Sequence, residues 1–233
     1  MHEASASPTY GVTLTMYKNF RSSIPALMIT GLLPCLAACS GGAYASSATA
    51  YIADDFSDLV TVALDDTSLQ DFDREVLQRA KSTGHIAQAD YDEAFDRFAQ
   101  CMERAGEPVM LTKLSNGLYK EKPLALSDGE TLESALSVLD ECSAGTTGVI
   151  SSLYKIQQGN PELLADAYAV AHNCLKAKGL VDSEFTLEEL RKTVGSPGLL
   201  GDTLEDRLPF NPYNDDAQAC FVGANMAIAK ATS

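Results

Sequence analysis

Tyr91-Asp92-Glu93-Ala94-Phe95-Asp96-Arg97-Phe98-Ala99-Gln100-Cys101-Met102-Glu103-Arg104-Ala105-Gly106 is the stretch whose reading decides the fold. Tyr91, Ala94, Phe95, Phe98, Met102 and Ala105 recur at helical spacing, so winding at about 3.6 residues per turn gathers them on one aromatic-rich face. Cys101 lies beside that stripe, and Gly106 is a helix stop. The spacing predicts a strong amphipathic helix over 88–105.

The same arrangement returns further on. Leu164, Ala167, Tyr168, Ala171, Cys174 and Leu175 form a second helical stripe that stops near Gly179, with Pro161 suited to its first turn. Aligning Cys101 with Cys174 pairs Gly106 with Gly179, Met102 with Leu175, Phe95 with Tyr168 and Tyr91 with Leu164. The next cysteine follows 41 residues on in the first case and 46 in the second. This reads as a weak internal duplication: a helix carrying Cys, a connection, and a second helix returning a Cys to the first. Of the three connectivities open to Cys101, Cys142, Cys174 and Cys220, it favours Cys101 with Cys142 and Cys174 with Cys220.

Outward from these stripes, Leu69, Phe72, Val76, Leu77 and Ala80 predict a helix over 68–82, stopped by Gly84. Residues 51–66 show no clear periodicity. The Asn116-Gly117 step between the short runs 108–113 and 118–120 is a hairpin signal. Segments 131–141 and 148–157 read as helices around Cys142, and Gln158-Gly159-Asn160-Pro161 breaks the pattern. Thr186-Leu187-Glu188-Glu189 is a capping box opening a short helix that ends near Val194. Residues 195–214 read as a turn-rich surface loop, and 215–230 as a closing helix bearing Cys220. The fold class that follows is mainly α: a disulfide-stapled helical domain with one small β-hairpin, in two pseudo-repeated modules.

The N-terminal part carries an export signal. Lys18 and Arg21 precede an apolar run over 24–33, too short for the ~20 residues that span a bilayer. Residues 1–15 hold Glu3 and no basic residue, so Met16 is the better initiator. Leu36-Ala37-Ala38-Cys39 resembles the bacterial lipobox. That resemblance implies a diacylglyceryl group on the Cys39 sulfur and cleavage just before it, leaving two acyl chains to hold the protein on the membrane. Ala43-Tyr44-Ala45 offers an ordinary cleavage site, whose use would release a soluble product. The expected organisation is a signal peptide over 1–38, a lipidated N-terminus and flexible tether over 39–66, and a helical extracytoplasmic domain over 67–233.

The pattern Tyr91-x-x-x-Phe95-x-x-Phe98-x-x-Cys101-Met102-x-x-x-Gly106, with Cys174-Leu175-x-x-x-Gly179 and Ala219-Cys220-Phe221, resembles a loose group of actinobacterial exported lipoproteins of unknown function. The resemblance spans roughly 86–225. It implies an extracytoplasmic, disulfide-bearing helical fold, and no substrate.

Charge and chemistry narrow the function classes. A formal net charge of −15 repels phosphate backbones, and there is no basic stripe with interleaved aromatics, which argues against nucleic acid. In an exported protein the even set of four cysteines after Cys39 argues for disulfides. There is no C-x-x-C, and His2, His85 and His172 lack ligand spacing, so no metal or cofactor is expected. Asp71-Phe72-Asp73 and Asn214-Asp215-Asp216 read as a solvated face and a helix start rather than a calcium loop. Ser152-Leu153-Tyr154-Lys155 matches S-x-x-K, but its companion motifs are misplaced or incomplete. His172 near Cys174 could activate a thiolate only were that cysteine free. The Tyr91, Phe95, Phe98 stripe is read as core before ligand groove. The favoured reading is a membrane-anchored, non-enzymatic module that binds an envelope protein, peptide or component. An accessory subunit of an envelope transport system and a cell-wall hydrolase are the alternatives.

Overall fold

A computed structural model describes residues 49–122, 131–196 and 202–228; the leader, Cys39 and the first part of the tether lie outside the described residues. The compact unit begins at Thr49. Residues 51–66, expected to belong to the tether, instead contribute α1 (Phe56–Leu64), whose N-terminus is capped by the Asp55 carboxylate accepting from the Asp58 N–H at 2.9 Å. Val60 is fully buried, and Phe56, Leu59, Ala63 and Leu64 pack against the same core. Asp58 within the helix and the Asp54-Asp55 and Asp65-Asp66 pairs on either side of it obscured a short apolar face.

Next come α2 (Asp71–Thr83) and α3 (Gln88–Arg104), within a few residues of the expected spans. The hairpin follows as β1 (Leu111–Lys113) antiparallel to β2 (Tyr119–Glu121), with Leu111 opposite Glu121 and Lys113 opposite Tyr119. Its tip is a three-residue loop: the Gly117 N–H donates to Leu114 O at 3.0 Å and the Leu114 N–H to Leu118 O at 2.8 Å. Then α4 (Leu132–Ser143), capped by Thr131, and α5 (Gly148–Gly159) complete the first module. Its core is Phe72, Val76, Leu77, Tyr91, Phe95, Phe98, Met102, Ile150, Leu153 and Tyr154 among others. Tyr91 lies within it, stacked on Tyr154 at 4.1 Å and edge-on to Phe95 at 4.9 Å. Aromatic pairs at these separations add to the area they bury.

The second module comprises α6 (Ala167–Ala177), α7 (Leu187–Gly195), α8 (Leu204–Arg207) and α9 (Asp215–Gly223) around Val170, Ala171, Leu175, Leu190, Leu208, Ala217 and Phe221. Three expectations are corrected here. Pro161 does not open α6, because residues 160–165 are held in a turn. The Asn160 side chain bonds both the N–H and the C=O of Leu164, Leu163 is left-handed at φ 55°, and the Ile52 N–H donates to Leu163 O at 2.8 Å. The helix starts only after Asp166, which caps it. Within 195–214, expected to be loop, Thr203 and Asp206 form a capping box for α8, and Leu208 is buried in the second core. The closing helix ends at Gly223 rather than near 230 because Asn225 turns left-handed.

That last correction extends the repeat. In α3, α6 and α9 alike, the fifth residue after the cysteine has positive φ: Gly106 at 85°, Gly179 at 67° and Asn225 at 56°. The N–H of the following residue then reaches back to the residue just after the cysteine: Glu107 to Met102 O (2.9 Å), Leu180 to Leu175 O (3.0 Å), Met226 to Phe221 O (2.8 Å). Each is a Schellman cap, which favours Gly or Asn at the left-handed position. Met102, Leu175 and Phe221, the accepting residues, are all fully buried. Cys101 bonds to Cys142 and Cys174 to Cys220, with Cα atoms 5.5 and 5.4 Å apart.

The modules meet where α5 crosses α9. A methyl group on Gly159 would lie 2.4 Å from Gly223 Cα, so the two backbones touch without any side chain between them. The hairpin leans on α9 as well, the Asn116 amide donating to Ala219 O at 3.1 Å and the Ser115 hydroxyl to Asp216 at 3.0 Å.

Gly159→Ala is expected to cost roughly 1–3 kcal/mol by overpacking this crossing, read as a lowered midpoint in chemical denaturation; an unchanged midpoint would mean the helices separate at no cost. Replacing both Cys101 and Cys142 by Ser is expected to remove about 4 kcal/mol, the unfolded-chain entropy of a loop this long. Denaturant titration of oxidised wild type beside the variant checks it.

Candidate functional site

The residues singled out for chemistry mostly prove to be structural. Tyr91, Phe95 and Phe98 are buried to within 1% and form core rather than a groove. The Tyr91 hydroxyl accepts from the Tyr119 N–H at 3.0 Å, and burial pushes its pKa above the usual tyrosine value. His172 Nε2 lies 2.8 Å from Phe185 O and its ring stacks on Phe185, while Cys174 is in a disulfide. The Ser152 hydroxyl donates to Gly148 O one turn back at 2.9 Å, so the S-x-x-K serine is committed to its own helix. Asp216 at the start of α9 pairs with Lys178, which with the Ser115 hydroxyl holds its carboxyl below the ordinary value. Among the described residues no group of three or more His, Cys, Asp or Glu converges as a cation cage. No helix among them is long and apolar enough to cross a membrane.

Several cations are likewise committed. Lys113 Nζ bonds both oxygens of Asp92 (2.8 and 2.7 Å), and Asp92 also accepts from Gln88, whose own oxygen takes the Tyr154 hydroxyl at 2.8 Å. This network ties α3, the hairpin and α5 together. Although partial burial works against ionisation, Lys113 and Gln88 hold the Asp92 carboxyl below its ordinary value. Arg79 holds Asp90 at 2.7 Å, Arg97 holds Glu93 at 2.7 Å and lies over the Phe72 ring, and Arg191 pairs with Asp166.

Two open clefts mark the surface. One, about 260 Å³, lies between the end of α5 and α6, but its polar groups bond each other: Asn160 to Leu164, and Asn173 to Glu162 at 3.3 Å. The other, about 190 Å³, lies where the hairpin, α5 and the end of α9 converge. Tyr119, Lys120 and Glu121 form one wall; Val222, Met226, Ala227 and Ile228 form another; Lys155 and the buried Gln218 complete it. Lys155 makes no hydrogen bond or ion pair among the described residues. Burial pushes its ammonium pKa below the ordinary lysine value, with the charge of Glu121 opposing. In sequence Lys155 stood out only as the lysine of S-x-x-K; its cleft partners lie up to 73 positions away along the chain, beyond any local pattern. The chain matches no protein-family profile, no curated protein and no solved structure.

Among the described residues Asp73 is the one buried carboxylate, 3% exposed, and its Oδ1 has no partner there. Burial raises its pKa above 3.8, while backbone N–H groups of Gln70 and Gly145 partly offset this. A folded-state pKa above the unfolded one means the native state binds the proton more tightly. The Asp73 contribution to stability therefore falls as pH rises through the folded value and is restored below about the unfolded one. Asp73→Asn keeps an oxygen for the two donors and removes the titration. Its stability relative to wild type is expected to be greater at pH 7 than at pH 3.5, measured by thermal unfolding at both; an equal difference would remove Asp73 as a titrating site.

Proposed function

We propose that this chain is a lipid-anchored, extracytoplasmic binding or accessory module of the bacterial cell envelope, held to the membrane through acylated Cys39. The observation that carries the reading is the cysteine framework. Every cysteine after Cys39 is paired, and each pair ties two helices of one module together. Such bonds persist in oxidising surroundings and are rare in a reducing cytosol, which fits a chain that carries an export signal and a lipobox at Leu36-Ala37-Ala38-Cys39. Two acyl chains give stable anchoring where one gives marginal binding. The binding role draws support from the Lys155 cleft: a half-buried cation beside an apolar wall is suited to recognition.

Metabolic labelling with an alkyne fatty acid tests the anchor. Wild type is expected to carry label and to pellet with membranes, and Cys39→Ala to lose both. Label retained by the variant would remove the lipobox. Maleimide reactivity of Cys101, Cys142, Cys174 and Cys220 without prior reduction would remove the oxidised scaffold.

A further inference from the structure

We propose that the Lys155 cleft captures the terminal carboxylate of a peptide whose last residue is apolar. This rests on the reading of the chain as a binding module and gives that reading a ligand class. The first ground is charge. Lys113, Lys178, Arg79, Arg97 and Arg191 each hold a carboxylate of this chain, whereas Lys155 is half-buried with none among the described residues. The charge of Glu121 raises the lysine's basicity, but Glu121 makes no ion pair with it. A cation withdrawn from water without a counter-ion is unfavourable, and an arriving carboxylate supplies the missing partner.

The second ground is shape. Opposite Lys155 the wall is Val222, Met226, Ala227 and Ile228. About 190 Å³ is smaller than the ~300–1,000 Å³ that encloses a drug-sized ligand. It offers room for one terminal residue, with the rest of the peptide leading out through the open mouth.

The third ground is the hairpin edge. In the ladder, Leu118 and Lys122 bond toward β1, so by antiparallel alternation the backbone groups of Tyr119 and Glu121 point the other way. The outward Tyr119 N–H is taken by the Tyr91 hydroxyl, and that of Glu121 has no partner among the described residues. Glu121 lines the cleft, so an extended peptide entering it meets an open strand edge able to bond its main chain.

Isothermal titration of the full chain in detergent with N-acetyl-alanyl-leucine, and with its C-terminal amide, tests the proposal. The acid is expected to bind about tenfold or more tightly than the amide, and Lys155→Gln to lose that preference while leaving amide binding unchanged. Lys155→Met, which removes a half-buried charge, is expected to unfold at the same temperature as wild type or higher, showing that lost binding is not lost folding. Equal binding of acid and amide, no binding of either, or full acid binding by Lys155→Gln would overturn the proposal. None of these outcomes touches the fatty-acid labelling, so failure here and failure of the anchored-module reading remain distinct.

Discussion

The contact on which the rest of the structure depends is the crossing of α5 and α9 at Gly159 and Gly223. Each module has its own core, its own disulfide and its own capped helices, and this crossing joins them. With no Cβ on either residue, the two backbones approach to a distance no larger residue tolerates. Close approach lets α9 be covered on nearly every side: Ala217, Ala219, Cys220 and Phe221 are all at most 1% exposed. Small residues make that possible, since a helix of bulky side chains could not sit so near α5, α6 and the hairpin at once.

Around that axis the modules reuse one local device. A cysteine, then a buried apolar residue, then a left-handed residue five places after the cysteine terminates α3, α6 and α9 in the same geometry. The device sets two things at one point: the disulfide ties the helix to a neighbour, and the cap ends the helix and turns the chain in a new direction. Between these ends the modules diverge, one using a hairpin and the other α7 and α8. The repeat therefore lives in the helix ends and not in the connections.

The arrangement also explains where recognition can occur. Several charged side chains in the described part are tied to partners on other segments, as Asp92 is to Lys113 and Gln88, or Arg191 to Asp166. Such pairs position elements and leave little free chemistry. Lys155 differs because it rises from α5 beside the end of α9, where the crossing opens a notch that the hairpin only partly closes. The candidate site is thus a by-product of the same close packing that joins the modules.

Much of this was legible in residue order. Helical periodicity in 91–105, the Thr186 capping box, the hairpin at Asn116-Gly117 and the matched cysteine spacings are local signals, each written within a few turns of chain. Where reading failed, either a distant partner had intervened or a single residue took an unannounced backbone conformation. Residues 160–165 form a turn because Ala50 and Ile52 bond to them, and residues after Gly223 leave the helix at Asn225, a residue whose backbone choice its neighbours do not announce. By itself the sequence determined most of the helices and several of their caps, since these depend on side chains close along the chain. Only the tertiary structure decided which backbones touch at Gly159 and Gly223 and that Lys155 has no carboxylate partner among the described residues, because burial and pairing are properties of what lies opposite in space.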